Sequence, residues 1–221
     1  MSAQTLTYSE VIGQLPPDSL LVLRGVSWAD YEALLDAVGE AKGLRLSYDQ
    51  GRLEVMVLSA EHEHYAELIK LFVNTLSLGL RIQVLHFGSI TMKKSPSQGA
   101  EPDACFYAQN ARSIGTKKQI NFDVDPPPDI VVEVDLHHGS FAKFPVYASL
   151  GVPEIWRYDG ESLAIYHLQA GDYVPGESSL AFPMLTAAGL TDWIGRSRTQ
   201  NQYDVLVAFQ AWLEAADPTE M

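Results

Sequence analysis

Pro128-Asp129-Ile130-Val131-Val132-Glu133-Val134 is the stretch on which the fold turns. It is β-branched and nearly continuous, as expected of a central strand buried on both faces. Three prolines, Pro126 to Pro128, set it up. Strand alternation places Asp129, Val131 and Glu133 on one face and Ile130, Val132 and Val134 on the other. A lone carboxylate inside a sheet is costly, so Glu133 needs a partner, a proton or a metal ion.

Elements follow outward from this strand. Towards the C-terminus, the polar turn His137-His138-Gly139-Ser140 leads into a helix over 141–150, which Gly151 stops. Strands are predicted at 152–159 and 162–168. Residues 169–201 read as less regular, and a last helix over 202–215 has Val205, Phe209 and Trp212 in register. Towards the N-terminus, strands are predicted at 101–107 and 81–91, with a basic turn-rich loop, Lys93 to Gly99, between them. A second loop covers 110–128. Ser59 caps a helix over 60–78 whose apolar stripe runs through Tyr65, Leu68, Ile69, Phe72, Val73 and Leu76, with Gly79 as its stop. Residues 43–49 and 52–58 form a hairpin around Asp49-Gln50-Gly51. Ser27 caps a helix that Gly39 or Gly43 ends, and residues 1–26 form a strap or short strand. The expectation is an α/β protein with a mixed sheet. One domain spans 1–221, its core at about 44–168, with N-terminal helix and hairpin and a C-terminal helix packed on that core.

Composition narrows the classes. The chain has 221 residues and is 47% hydrophobic, which excludes a disordered tail, and no apolar stretch approaches a bilayer span. With 15 Lys+Arg against 28 Asp+Glu the net charge is −13. A general positive field for nucleic acid is therefore excluded, and any phosphate site must be local or helped by a bound cation. The single cysteine, Cys105, excludes an internal disulfide and any multi-cysteine zinc site and reads as buried packing. No secretory signal is visible at Met1 to Thr5, so a cytoplasmic location is expected.

Chemistry centres on two acids. Asp103 enters one predicted strand and Glu133 lies within the next. Two carboxylates from adjacent strands facing one spot make a hard oxygen site suited to Mg²⁺ or Mn²⁺. Lys143, Tyr147 and Leu150 share one helix face that should look at the sheet. Asp, Glu and Lys converging at strand ends fit metal-assisted phosphodiester hydrolysis. A plainer reading stands beside it: Glu133 and Lys143 as a structural ion pair, and Asp103 as a strand-entry turn residue.

Glu101-Pro102-Asp103, the run Pro128 to Val134, and Lys143…Tyr147…Gly151-Val-Pro-Glu154-Ile-Trp156 together resemble the Uma2 family, a restriction-endonuclease-like branch of the PD-(D/E)XK nuclease superfamily. The resemblance covers about Leu44 to Asp159, including Ser59-Ala-Glu-His62-Glu63. It implies a core of helix, three strands, helix and strand. It implies that Asp103, Glu133 and the Val134 carbonyl hold the cation, and that the activity is Mg²⁺- or Mn²⁺-dependent cleavage of DNA. The superfamily lysine should stand two residues after Glu133, where this chain has Asp135. Lys143 matches the position to which it has moved, and Asp135 either weakens activity or binds a second cation. His62 is a candidate water-positioning base or support for the metal ligands, or a core histidine; Glu63 reads as solvated. His137 and His138 read as a turn at the site entrance, and Tyr107 and Tyr147 line the site or pack it. Lys93-Lys94, Lys117-Lys118, Arg112, Arg196 and Arg198 are the candidate DNA contacts, and a homodimer is expected from the superfamily. Two alternatives are an inactive binding or assembly module of the same fold and a hydrolase of small phosphate esters.

Overall fold

In the computed structural model, residues 11–39 and 43–215 are described, so the first ten residues of the expected N-terminal strap lie outside them. Two sheets carry the described chain. The first has the order β1-β3-β2-β6-β5 and is antiparallel throughout. Its strands are β1 (Leu20–Arg24), β2 (Leu44–Asp49), β3 (Arg52–Val57), β5 (Met92–Lys94) and β6 (Gln98–Ala100). Helix α1 (Trp28–Val38), capped by Ser27, lays Tyr31 and Leu34 against Leu46, Tyr48, Leu53 and Val55. Alternation along β2 thus gives Leu46 and Tyr48 to α1 and turns Arg45 and Ser47 to the opposite face.

The second sheet has the order β11-β10-β9-β8-β7-β4. Its strands are β4 (Leu85–His86), β7 (Ala104–Tyr107), β8 (Ile130–Val134), β9 (Glu154–Tyr158), β10 (Leu163–Gln169) and β11 (Asp172–Gly176). Only the pair β8–β9 is parallel, with Ile130 opposite Glu154 and Glu133 opposite Arg157. A parallel pair needs a crossover, and here the crossover is a 3₁₀ turn (Ser140–Lys143) followed by a helix, Phe144–Leu150. It covers the face of β8 that carries Val131, among Cys105, Val146, Tyr147 and Ile155. The other face, with Ile130, Val132 and Val134, lies under helix α2 (Ala60–Leu80). Numbering helices in chain order, α3 is Ala111–Ile114 and α4 is Phe144–Leu150; α5 (Ala187–Arg196) and α6 (Gln202–Ala215) pack outside α2, where Phe72 and Phe209 rings meet at 4.9 Å.

The expected order of helix, three strands, helix and strand is present as α2, β4, β7, β8, α4 and β9. Several boundaries differ. The predicted strand 81–91 shrinks to Leu85–His86: Arg81 still belongs to the end of the preceding helix, and beyond His86 the chain turns at Gly88, which takes a positive φ of 60°. Lys93-Lys94, expected in a loop, form half of the β5–β6 hairpin. Helix α2 runs through Gly79 and ends where Arg81 adopts a left-handed φ of 56°. Strand β11 and helix α5 occupy the stretch read as less regular. Among the described residues no helix is long and apolar enough to cross a membrane.

Candidate active site

Each site residue is placed by a local feature of its element. Asp103 stands at the entrance of β7, where its N–H donates to the Val132 carbonyl at 3.0 Å. That register brings its Oδ2 to the Val134 N–H at 2.8 Å. His62 reaches the same oxygen, Nε2 to Oδ2 3.1 Å. Its position follows from the cap of α2, since the Ser59 hydroxyl accepts from the His62 N–H and starts the helix over the strand ends. Glu133 projects from the α4 face of β8. Its Oε2 meets Lys143 Nζ at 2.7 Å, and its Oε1 accepts a hydrogen bond from the Tyr147 hydroxyl. Lys143 also donates to the Glu101 carbonyl at 3.0 Å, tying the crossover to the chain that leads into Asp103. All five side chains are buried.

Asp103 and Glu133 therefore face one cleft, which Val134, Lys143 and His62 also line. The cavity is about 30 Å³, room for one or two water-sized particles. In an extended strand the N–H and C=O of one residue point the same way, so the Val134 carbonyl is turned towards Asp103 like its N–H. Asp103 Oδ1 is buried and accepts no hydrogen bond. Two carboxylates and a carbonyl suit a small hard cation that keeps most of its waters. Among the described residues no three His, Cys, Asp or Glu side chains cluster as a metal cage, so carbonyl and water oxygens would have to complete any such shell.

The electrostatics are those of a crowded, nearly balanced set. Burial pushes Glu133 up, the nearby charges of Asp103 and Asp135 add to this, and Lys143 only partly opposes them, leaving it at about 7. Burial also acts on Asp103, but the hydrogen bond and charge of His62, helped by Lys143 and Arg45, outweigh it and hold the acid below its usual range. Burial would lower His62, yet the Asp103 bond and charge prevail and its pKa is raised. His62 is thus committed to Asp103 through Nε2, while its Nδ1 is buried without a partner.

Asp135 is held through one carboxylate oxygen. Its Oδ2 accepts from the Ser140 N–H at 2.8 Å, from the Ser140 hydroxyl at 3.0 Å and from Arg157. Through that oxygen the carboxylate anchors the turn into the crossover, and Asp135 also lines the cleft. Glu63 is half-exposed but paired, with Arg45 at 3.2 Å. His138 Nε2 bonds the Asp18 carbonyl at 2.9 Å and does line the cleft, whereas Tyr107 bonds the Pro126 carbonyl at 3.2 Å, away from it. Cys105 is fully buried packing.

Arg45 is the residue that the sequence reading missed. From the inward face of β2 its Nε approaches Asp103 Oδ1 to 3.2 Å, without hydrogen-bond alignment. The available signal was the alternation Arg45-Leu46-Ser47-Tyr48, which puts an arginine on a buried face. The predicted basic rim is largely spent on protein partners. Lys93 pairs with Glu32 at 3.2 Å, Lys94 donates to the Ser149 carbonyl at 2.7 Å, and Arg196 pairs with Asp192 at 2.8 Å. Lys117 bonds Asp125, and Arg198 bonds Gly160 and Tyr158. Of that set, among the described residues, only Lys118 and Arg112 make no ion pair or side-chain hydrogen bond, and Lys118 lines a groove of about 1160 Å³ that Arg45 separates from the cleft.

The arrangement of sheet, crossover and flanking helix is that of restriction-endonuclease-like proteins. A crystal structure of a "putative nuclease belonging to DUF820" from Anabaena variabilis ATCC 29413 superposes with a TM-score of 0.52, over 76% of this chain and 99% of that one, at 15% identity. The family model of Uma2, described as "Putative restriction endonuclease", matches residues 28–194, and the chain belongs to that family. No curated protein sequence matches it.

Proposed function

We propose that this protein is a divalent-cation-dependent nuclease that hydrolyses DNA phosphodiesters at the Asp103–Glu133 cleft. The observation that supports this best is the meeting of two buried acids from neighbouring strands with one lysine at a cavity of ion size. The family's description and that of the Anabaena protein point to the same class. Asp103, Glu133 and the Val134 carbonyl would hold Mg²⁺ or Mn²⁺. A cation so bound would polarise a phosphodiester oxygen and lower the pKa of a bound water.

The chain's own groups have separate tasks. Lys143, fixed by Glu133 and the Glu101 carbonyl, presents an ammonium where charge accumulates on the phosphoryl oxygens. Tyr147 and Lys143 together orient the Glu133 carboxylate. His62 and the Val134 N–H do the same for Asp103. A cleft of about 30 Å³ is far below the roughly 300–1,000 Å³ that encloses a small ligand. The scissile phosphate would therefore sit at the mouth of the cleft and not inside a closed pocket. The homodimer and a cytoplasmic location are further expectations of this reading.

A second reading has its own observation. Arg45 beside Asp103 and Lys143 on Glu133 supply two cations to two acids, as in an inactive binding module of the same fold. Cleavage of plasmid DNA with Mg²⁺ by the parent and by Glu133→Gln separates them. The nuclease reading expects a parental activity that falls about a thousandfold in the variant, or some 4 kcal/mol of barrier. Equal cleavage by both, or none by the parent, contradicts it.

A further inference from the structure

We infer that Arg45 is a displaceable internal cation: a divalent ion bound at Asp103 would take over its place beside that carboxylate, and Arg45 would then serve the adjoining groove as a phosphate-binding group. The inference rests on the nuclease reading above and adds how that site would be loaded.

Three contacts define the side chain. One terminal nitrogen donates to the Leu44 carbonyl at 2.9 Å, the other pairs with Glu63 at 3.2 Å, and Nε faces Asp103 Oδ1 at 3.2 Å. The first two satisfy hydrogen bonds; the third does not. Both Arg45 Nε and Asp103 Oδ1 are buried atoms left without a hydrogen bond although they are neighbours. A guanidinium is a rigid fork, and when it pairs with a carboxylate for structural reasons it does so in line and often with two bonds. Here the fork is aligned on Glu63 and the Leu44 carbonyl, and only its charge serves Asp103.

The unsatisfied oxygen is the one Asp103 can offer a cation, since Oδ2 already serves Val134 and His62. A divalent ion brings twice the charge of a guanidinium and is not bound by the same alignment rule, so it outcompetes Arg45 there. The arginine need not leave the protein when this happens. Its two satisfied bonds hold it at the wall between the cleft and the larger groove, which it also lines. Freed of Asp103, its Nε and the guanidinium N–H donors not held by Leu44 and Glu63 are left for an oxyanion at a groove of about 1160 Å³, whose lining sets Arg45, Lys70 and Lys118 against Glu63, Glu67 and Glu101, and a guanidinium is the side chain best shaped for a phosphate. In a chain of net charge −13, one such local device replaces a general positive field.

The test is a pair of affinities with opposite signs. Calorimetric titration with Mn²⁺, in the absence of nucleic acid, compares the full-length parent with Arg45→Gln. Fluorescence anisotropy with a labelled 20-base-pair duplex, in saturating Ca²⁺, compares the same two proteins. The inference expects Mn²⁺ to bind the variant roughly tenfold tighter, the scale of one screened charge contact, and the duplex to bind it several-fold weaker. A purely structural arginine would weaken both when lost. Arg45→Lys keeps the charge and covers the case in which Arg45→Gln does not fold; it should bind Mn²⁺ like the parent and the duplex more weakly, for want of the fork. If the parent binds Mn²⁺ and Arg45→Gln binds it no tighter, the inference fails alone. If the parent binds no Mn²⁺ at millimolar concentration, the nuclease reading fails and takes the inference with it.

Discussion

Glu133 and Glu154 make the instructive comparison. They sit on adjacent parallel strands, both are buried to 1% exposure or less, and burial raises the pKa of each. Their surroundings differ. Glu154 is held by neutral donors: the Trp156 indole N–H, the Leu180 N–H at 2.6 Å and the Ala181 N–H at 3.4 Å. It fastens the 179–182 segment to β9 and lines no cleft among those described. Glu133 is held by an ammonium and a hydroxyl, with a second acid across a cavity of ion size. Burial of a carboxylate is common to structure and chemistry. The kind of donor and the space beside it tell the two apart.

Removing Lys143 should have the largest effect on stability. Lys143→Ala leaves Glu133 buried with its cation gone, a change that costs about 3–5 kcal/mol. Glu133 already has a raised pKa, so its protonated form fits the folded state better than its charged form. The loss should therefore be smaller at pH 5 than at pH 8, because stability tied to a raised carboxyl pKa is present at low pH and declines as pH rises through that value. Urea unfolding of parent and variant at both pH values measures it; an equal loss at each would show that Glu133 is not the group left behind.

Glu154→Ala comes next, at about 2–3 kcal/mol, since it strands buried N–H donors rather than a charge. Its survivors should bind Mn²⁺ like the parent. A weakened Mn²⁺ affinity would mean that the two ends of the parallel pair are coupled and that Glu154 is more than a structural acid. Tyr147→Phe should cost least, about 1.5 kcal/mol for one hydrogen bond to a charged acceptor. Thermal unfolding checks that figure, and a loss as large as that of Lys143→Ala would move the main support of Glu133 from the lysine to the tyrosine.

Much of this was legible in the residues, for reasons that also explain the gaps. The run from Ile130 to Val134 declared a strand covered on both faces, and α2 and the crossover do cover it. Its alternation put Glu133 on the face where Lys143 and Tyr147 meet it. Hairpin and cap signals at Asp49–Gly51 and Ser59 are local chemistry and landed where expected. What escaped needs the third dimension. Arg45 lies 58 positions before Asp103, and nothing in its neighbours says which buried partner its face will meet. Asp135 looks like a misplaced acid until the return of the chain at Ser140 and Arg157 shows its donors. The lysines looked free because their partners, such as Glu32 for Lys93 and Ser149 for Lys94, are distant in sequence.

The most direct measurement is calorimetric titration of Mn²⁺ into three proteins: the parent, Glu133→Gln and Glu154→Gln. Binding of the ion by the parent and by Glu154→Gln, with the heat abolished in Glu133→Gln, is the predicted result. The same isotherm in all three, or no binding to the parent, would show that the paired acids do not form a cation site.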